Sequence, residues 1–165
     1  MKQRFSGAAS AAIALAVCGT VLTGAGRMQT PQPSTPTACL KATQEFQAAK
    51  MKEAGLPMTA EKYQAVQRAK ADFAAACMAR LATDSLTGAE VLALAELQVE
   101  AGQTGLAVET ADRAIGLAGD DPAARAASLL MGARVAMRQP KSDARTAQVE
   151  RYVQGLDALP ESFTR

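Results

Sequence analysis

The helix stops in this chain decide most of what it can fold into. Gly55 with Pro57, Gly102, Gly119 with Pro122, Pro140 and Pro160 each end a run of apolar residues spaced three and four apart. Strand-like alternation is missing from Ala38 onward, so the spacing predicts six helices and an all-α fold. The first spans about 38–54. Thr59 caps a second, which runs to about Thr83 with Tyr63, Val66, Ala69, Phe73, Ala76, Cys77 and Leu81 on its apolar face. Thr87 and Glu90 suit a capping box for a third helix ending near Gly102. A fourth covers about 104–118. Asp121 before Pro122 is an N-cap followed by proline at the first helical position, opening a fifth that ends near Gln139. Ser142 caps a sixth, which ends near Ala158. Short turns between helices of similar length imply antiparallel neighbours, hence three hairpins in series.

The segment before Ala38 is different. Met1-Lys2-Gln3-Arg4 is a basic start, followed by an uncharged, Ala-, Val- and Leu-rich stretch from Phe5 to Gly26. This is the layout of a secretory signal, with Thr23-Gly24-Ala25 as an acceptable cleavage site. Residues 1–25 are therefore expected to be a signal peptide or an anchor. Leu15-Ala16-Val17-Cys18 offers a rival outcome, lipidation at Cys18, although Val17 stands where a small residue is expected. Residues 26–37, rich in Pro and Thr, are expected to be an extended linker. The expected location is exported, periplasmic or extracellular, with a membrane-anchored lipoprotein as the alternative.

Charge and composition narrow the function classes. The chain holds 18 Lys and Arg against 16 Asp and Glu, so removing Lys2 and Arg4 leaves it close to neutral. Neutrality argues against general nucleic-acid binding or a polybasic membrane tether, leaving the N-terminal segment as the only expected membrane contact. There is no His, which removes the commonest general base and transition-metal ligand. Asp120 and Asp121 supply too few oxygens for a Ca²⁺ loop. Met51, Met58, Met78, Met131 and Met137 suit core filling, and Ser85, Ser128 and Ser142 lack partners for a nucleophile. We therefore expect no enzyme, cofactor or metal.

Outside the leader the cysteines are Cys39 and Cys77. In an antiparallel hairpin, facing residues lie equidistant from the turn. The midpoint of this pair is Met58, inside the Gly55–Thr59 turn, so the two should face each other and form a disulfide that staples residues 38–83. The same rule pairs Phe46 with Lys70 and Ala49 with Val66. A redox-active pair is the rival reading, but such pairs usually sit close in sequence with a lowered pKa.

Laying the fourth helix on the sixth matches Ala111, Ala114, Ile115, Ala118 and Pro122 with Val149, Tyr152, Val153, Leu156 and Pro160, all at one constant offset. A period in the thirties with two helices per unit marks a helical solenoid. Residues 90–122 resemble a tetratricopeptide repeat: Leu94 and Ala95 suit the contact of its first helix, and Ala107, Ala111, Ala114 and Ile115 its second. Val91 falls where the family has Trp, and Gln98 at an aromatic position. The next unit, 122–160, keeps Met131-Gly132 and Ala144 but departs at Gln148 and Arg151. The resemblance implies that residues 84–160 are two stacked repeat hairpins, a short solenoid with the first, and that the chain is a non-enzymatic module binding a protein or peptide. The chain is also similar to exported proteins in which Ala-rich repeats accompany a thioredoxin-like domain. That similarity keeps open an accessory role in thiol–disulfide exchange; a structural envelope lipoprotein is the third reading.

Residues 83–122 carry a run of acids against Arg113 alone, between two basic hairpins. Either the hairpins attract one another through alternating charge, or Glu90, Glu96, Glu100, Glu109 and Asp112 form an acidic surface for a basic partner segment.

Overall fold

The computed structural model describes residues 33–160, which form six helices joined by short connections, with no strand among the described residues. The helices are α1 (Pro36–Ala54), α2 (Ala60–Met78), α3 (Ala89–Glu100), α4 (Thr104–Leu117), α5 (Pro122–Arg138) and α6 (Asp143–Asp157). The expected signal peptide, Cys18 and most of the expected linker lie outside the described residues. Among the described residues no helix is long and apolar enough to cross a membrane.

Local capping chemistry sets most helix starts. The Thr59 side chain accepts from Lys62 N at 3.3 Å, and Ser142 from Arg145 N at 3.1 Å. Asp121 accepts from both Ala123 N and Ala124 N, at 2.9 and 3.2 Å. These satisfy first-turn amides that have no partner inside the helix.

Three boundaries differ from expectation. α1 begins inside the expected linker, with Thr35 accepting from Ala38 N at 3.2 Å and Pro36 buried at the first helical position. A proline there sacrifices no hydrogen bond, because that amide is unpaired in any helix. α2 stops at Met78 rather than near Thr83. The chain beyond it is held by Arg113 of α4, whose guanidinium donates to the carbonyls of Thr83, Asp84 and Leu86 at 3.1 to 3.3 Å. The Thr87–Glu90 capping box does not form. Gly88 caps α3 at φ 54°, a left-handed conformation that favours glycine, with no side-chain cap bond. Glu90 instead accepts from Thr37 N at 2.9 Å, serving the first turn of α1.

Consecutive helices pack on one another, except that α2 and α3 are joined by a longer connection and still touch. Beyond these contacts, α1 packs on α3 and α3 on α5. No Cα of α2 comes within 8 Å of α4, nor any of α4 within 8 Å of α6. Three apolar clusters fill the seams. Cys39, Ala74 and Cys77 pack with Leu97 of α3. Ala107 and Val108 of α4 pack with Val135 of α5, flanked by Val99 and Met131. Leu129, Ala133 and Ala136 of α5 pack with Tyr152 of α6.

Within the first pair, Phe46 stacks on Phe73 with ring centroids 4.5 Å apart, rather than facing Lys70. Helical side chains lean toward their own N-terminus. Two long side chains on antiparallel helices therefore meet at positions displaced toward both C-termini from the facing Cα atoms. Lys70 turns away to pair with Glu100 of α3. Gln98 keeps its amide oxygen buried with no hydrogen-bond partner among the described residues.

Small residues let the helices approach. A Cβ added at Gly132 would lie 2.7 Å from the Tyr152 ring, and one at Gly155 2.7 Å from Leu129. One at Gly116 would meet nothing within 4 Å. Gly132→Ala is therefore expected to destabilise by about 1–3 kcal/mol, because the packed ring must shift. Gly116→Ala should stabilise α4 by up to about 1 kcal/mol through helix propensity. Urea unfolding midpoints that move in opposite directions for the two variants would bear this out.

Candidate functional site

The five carboxylates of the expected acidic surface do not stand together as free groups. Glu90 is bound to Thr37 N. Glu96 accepts from Arg134 of α5 at 2.8 Å, and Glu100 pairs with Lys70 of α2. Asp112 accepts from Arg151 at 2.8 Å and from the Tyr152 hydroxyl at 2.8 Å. Glu109 is exposed, and no ion pair is recorded for it among the described residues. Four of the five thus join neighbouring elements, the arrangement expected of seams with alternating charge.

The Asp112 cluster is the most organised polar group. α4 supplies the carboxylate, and consecutive residues of α6 supply the cation and the phenol. The Arg151 guanidinium sits 4.8 Å from the Tyr152 ring centroid, and its own pKa is raised, first by the hydrogen bond to Asp112. Burial, reinforced by the Asp112 hydrogen bond, pushes the Tyr152 phenol up to about 12. It therefore stays protonated at neutral pH and acts as a hydrogen-bond donor rather than a general base. A shallow pocket of about 440 Å³ lies beside the cluster, lined by Ile115, Leu129, Arg125 and the two glycines Gly116 and Gly155. The cluster ties α6 to α4 across α5.

Cys39 and Cys77 form a disulfide with Cα atoms 5.9 Å apart. Cys39 is fully buried and Cys77 is 7% exposed, both packed against Leu97. Closing a loop of 38 residues constrains the unfolded chain by about 4 kcal/mol in the entropy description. A thiolate attacking this bond would first have to reach sulfurs covered by α3. No group of three or more His, Cys, Asp or Glu side chains able to hold a metal ion occurs among the described residues.

A wide concavity lies at the α5–α6 end. An open pocket of about 560 Å³ is lined by Met137, Arg145, Thr146 and Val149, with Lys141, Ser142, Asp143 and Glu150 around it. Leu130, Met137 and Val153 are about half exposed nearby. Sequence reasoning finds the basic residues of this hairpin but does not single out this face. The constant offset that lays α4 on α6 is the signal that could have found it.

The chain matches no protein-family model, no curated protein and no solved structure.

A Tyr63→Phe variant leaves Tyr152 as the only phenol, and its ultraviolet titration should centre near pH 12 instead of about 10. Adding Asp112→Asn should bring the midpoint down, because that carboxylate raises the phenol both as a hydrogen-bond partner and as a charge. The folded pKa exceeds the unfolded one, so the phenol's contribution to stability is whole below about pH 10 and is lost as pH rises toward 12.

Proposed function

We propose that this chain is an exported, tetratricopeptide-like helical-repeat module that binds another protein or peptide and carries out no reaction itself. The observation that supports this best is the pattern of helix contacts. The backbones of the odd-numbered helices approach one another in a row, α1 to α3 to α5, while those of the even-numbered helices stay farther apart, α4 and α6 meeting through the long side chains of the Asp112 cluster. Each odd helix after the first also rests on the even helix before it. That pattern supports a reading as antiparallel hairpins stacked as a solenoid. A row of helices packed more closely than its neighbour takes the inner side of the curve, and such a surface suits an extended or helical partner.

Two features favour binding over chemistry. The polar clusters are used to join helices, and the one strongly shifted phenol is held as a donor. The disulfide is compatible with an oxidising compartment. Its burial beneath Leu97 suits a permanent staple better than an exchanging pair. The lipoprotein reading rests on Cys18, outside the described residues.

The test is site-specific photo-crosslinking of the chain in its exporting host. Crosslinkers replace exposed residues on odd helices, Lys41 and Ala127, and on even helices, Arg68 and Glu109. Protein adducts are expected from the odd positions and not from the even ones. Silence at every position would overturn the reading. Intact mass of the same material should place the N-terminus near Gly26, with Cys39 and Cys77 blocked until reduction.

A further inference from the structure

α5 sits in a cleft between α3 and α4, and an equivalent cleft between α5 and α6 is uncovered among the described residues. The equivalence is positional. α3 ends at Glu100 and α5 at Arg138, while α4 begins at Thr104 and α6 at Asp143, so the two hairpins repeat in nearly constant register. In the register that lays Glu100 on Arg138, Val99, Ala107, Val108 and Ala111 correspond to Met137, Arg145, Thr146 and Val149. The first three of the former set clasp Val135 of α5, and Ala111 is fully buried. The latter four line the open pocket. The surface that receives a helix in one repeat is thus presented to solvent in the next, with Met137 52% exposed.

The differences between the two clefts state what the second would receive. Ala107 becomes Arg145 and Val108 becomes Thr146, so the floor is apolar along Met137 and Val149 but cationic at one side. Lys141 lies on the same rim, and Arg138 follows Met137. Arg138, Lys141 and Arg145 have no ion pair among the described residues. Asp143 and Glu150 share the rim and offset Lys141 and Arg145, so the excess of positive charge comes from Arg138 beside Met137; Asp143 stands in the first turn of α6, where the helix dipole already favours it. The seam between α3 and α5 adds a second argument. Glu96 bonds to Arg134, and these two occupy the same repeat position in successive hairpins. A helix seated on α5 as α5 is seated on α3 would bring its own residue at that rung to Arg134, whose exposed guanidinium an acid there would share with Glu96.

We propose that the α5–α6 face is a docking seat for an amphipathic α-helix of a partner protein, with its apolar stripe on Met137 and Val149 and acidic residues meeting Arg134, Arg138 and Arg145. This rests on the helical-repeat reading above. A second copy docking by the same face is disfavoured, because it would bring two sets of the unpaired cations Arg138, Lys141 and Arg145 into one interface without adding the acids they lack.

α5 itself supplies the probe. A fluorescein-labelled peptide of residues 122–138 carrying Arg125→Glu, Arg134→Glu and Arg138→Glu is compared with the unaltered peptide by anisotropy against the mature full chain. The acidic peptide should bind at least about tenfold tighter, with the advantage shrinking as salt rises. Met137→Glu and Lys141→Glu in the protein, both at exposed positions, should each weaken it several-fold, while Glu109→Ala should not. Equal binding of both peptides, no binding of either, or indifference to Met137→Glu and Lys141→Glu overturns the seat. A photo-crosslinker at Met137 separates this failure from that of the parent reading. If Met137 is silent while Lys41 or Ala127 yields adducts, the seat falls and the module stands; if all are silent, both fall.

Discussion

Leu97 of α3 packs against the Cys39–Cys77 bond and is the large, fully buried side chain of a cluster that α1 and α2 otherwise fill with Ala74 and the partly buried Leu40 and Met78. Alanine is the commonest buried apolar residue among the described residues, from Ala74 through Ala95, Ala107, Ala111 and Ala136. Alanines let backbones come close but bury little area each, so a single pair of helices gains little from closing on itself. Each cleft is completed by one larger side chain from the next element. Leu97 does this for α1 and α2, Val135 for α3 and α4, and Tyr152 packs onto α5 where Gly132 leaves room for its ring. Burying a side chain of that size stabilises by roughly 1.5–3 kcal/mol, which makes each helix dependent on its neighbour. The disulfide adds to the one pair that has no preceding helix to lean on.

Charge follows the same seams. Lys70 with Glu100, Arg134 with Glu96, and Arg151 with Asp112 each join an acid of α3 or α4 to a base on α2, α5 or α6. Exposed pairs of this kind contribute little energy apiece. The pair of Lys70 and Glu100 is the most shielded from water, so losing one partner would strand the other charge. The engagement of these acids changes the expected chemistry of a partner. Among the basic residues left without ion pairs in the described region, Arg138, Lys141 and Arg145 stand close together where α5 passes into α6, and the docking seat proposed there would suit an acidic partner rather than a basic one.

Local chemistry is legible in the sequence and long-range chemistry is not. Thr59, Asp121 and Ser142 cap the helices expected of them, because a cap needs only its own first turn. Facing cysteines follow from the turn between them. The Thr87–Glu90 box fails because Glu90 is claimed by Thr37, 53 residues away. α2 ends earlier than its apolar spacing suggests because Arg113 holds residues 83–86 from 27 to 30 positions downstream. Phe46 does not meet Lys70 because counting from the turn locates Cα atoms and ignores the lean of long side chains. The constant offset that lays residues of α4 on residues of α6 is visible in the sequence. Its meaning for the α5–α6 face depends on knowing that Ala107 and Val108 are covered while Arg145 and Thr146 are not.

The dependence of each helix on the next is tested most directly by amide hydrogen exchange of the chain carrying Val135→Asp, compared with the unaltered chain. The substitution places a charge in the cleft that seats α5. The account predicts that protection falls together in α4, α5 and α6 while α1 and α2 keep theirs behind the disulfide. Loss spread evenly over all six helices, or confined to the turn of α5 around the substitution, would contradict a stack held by nearest neighbours.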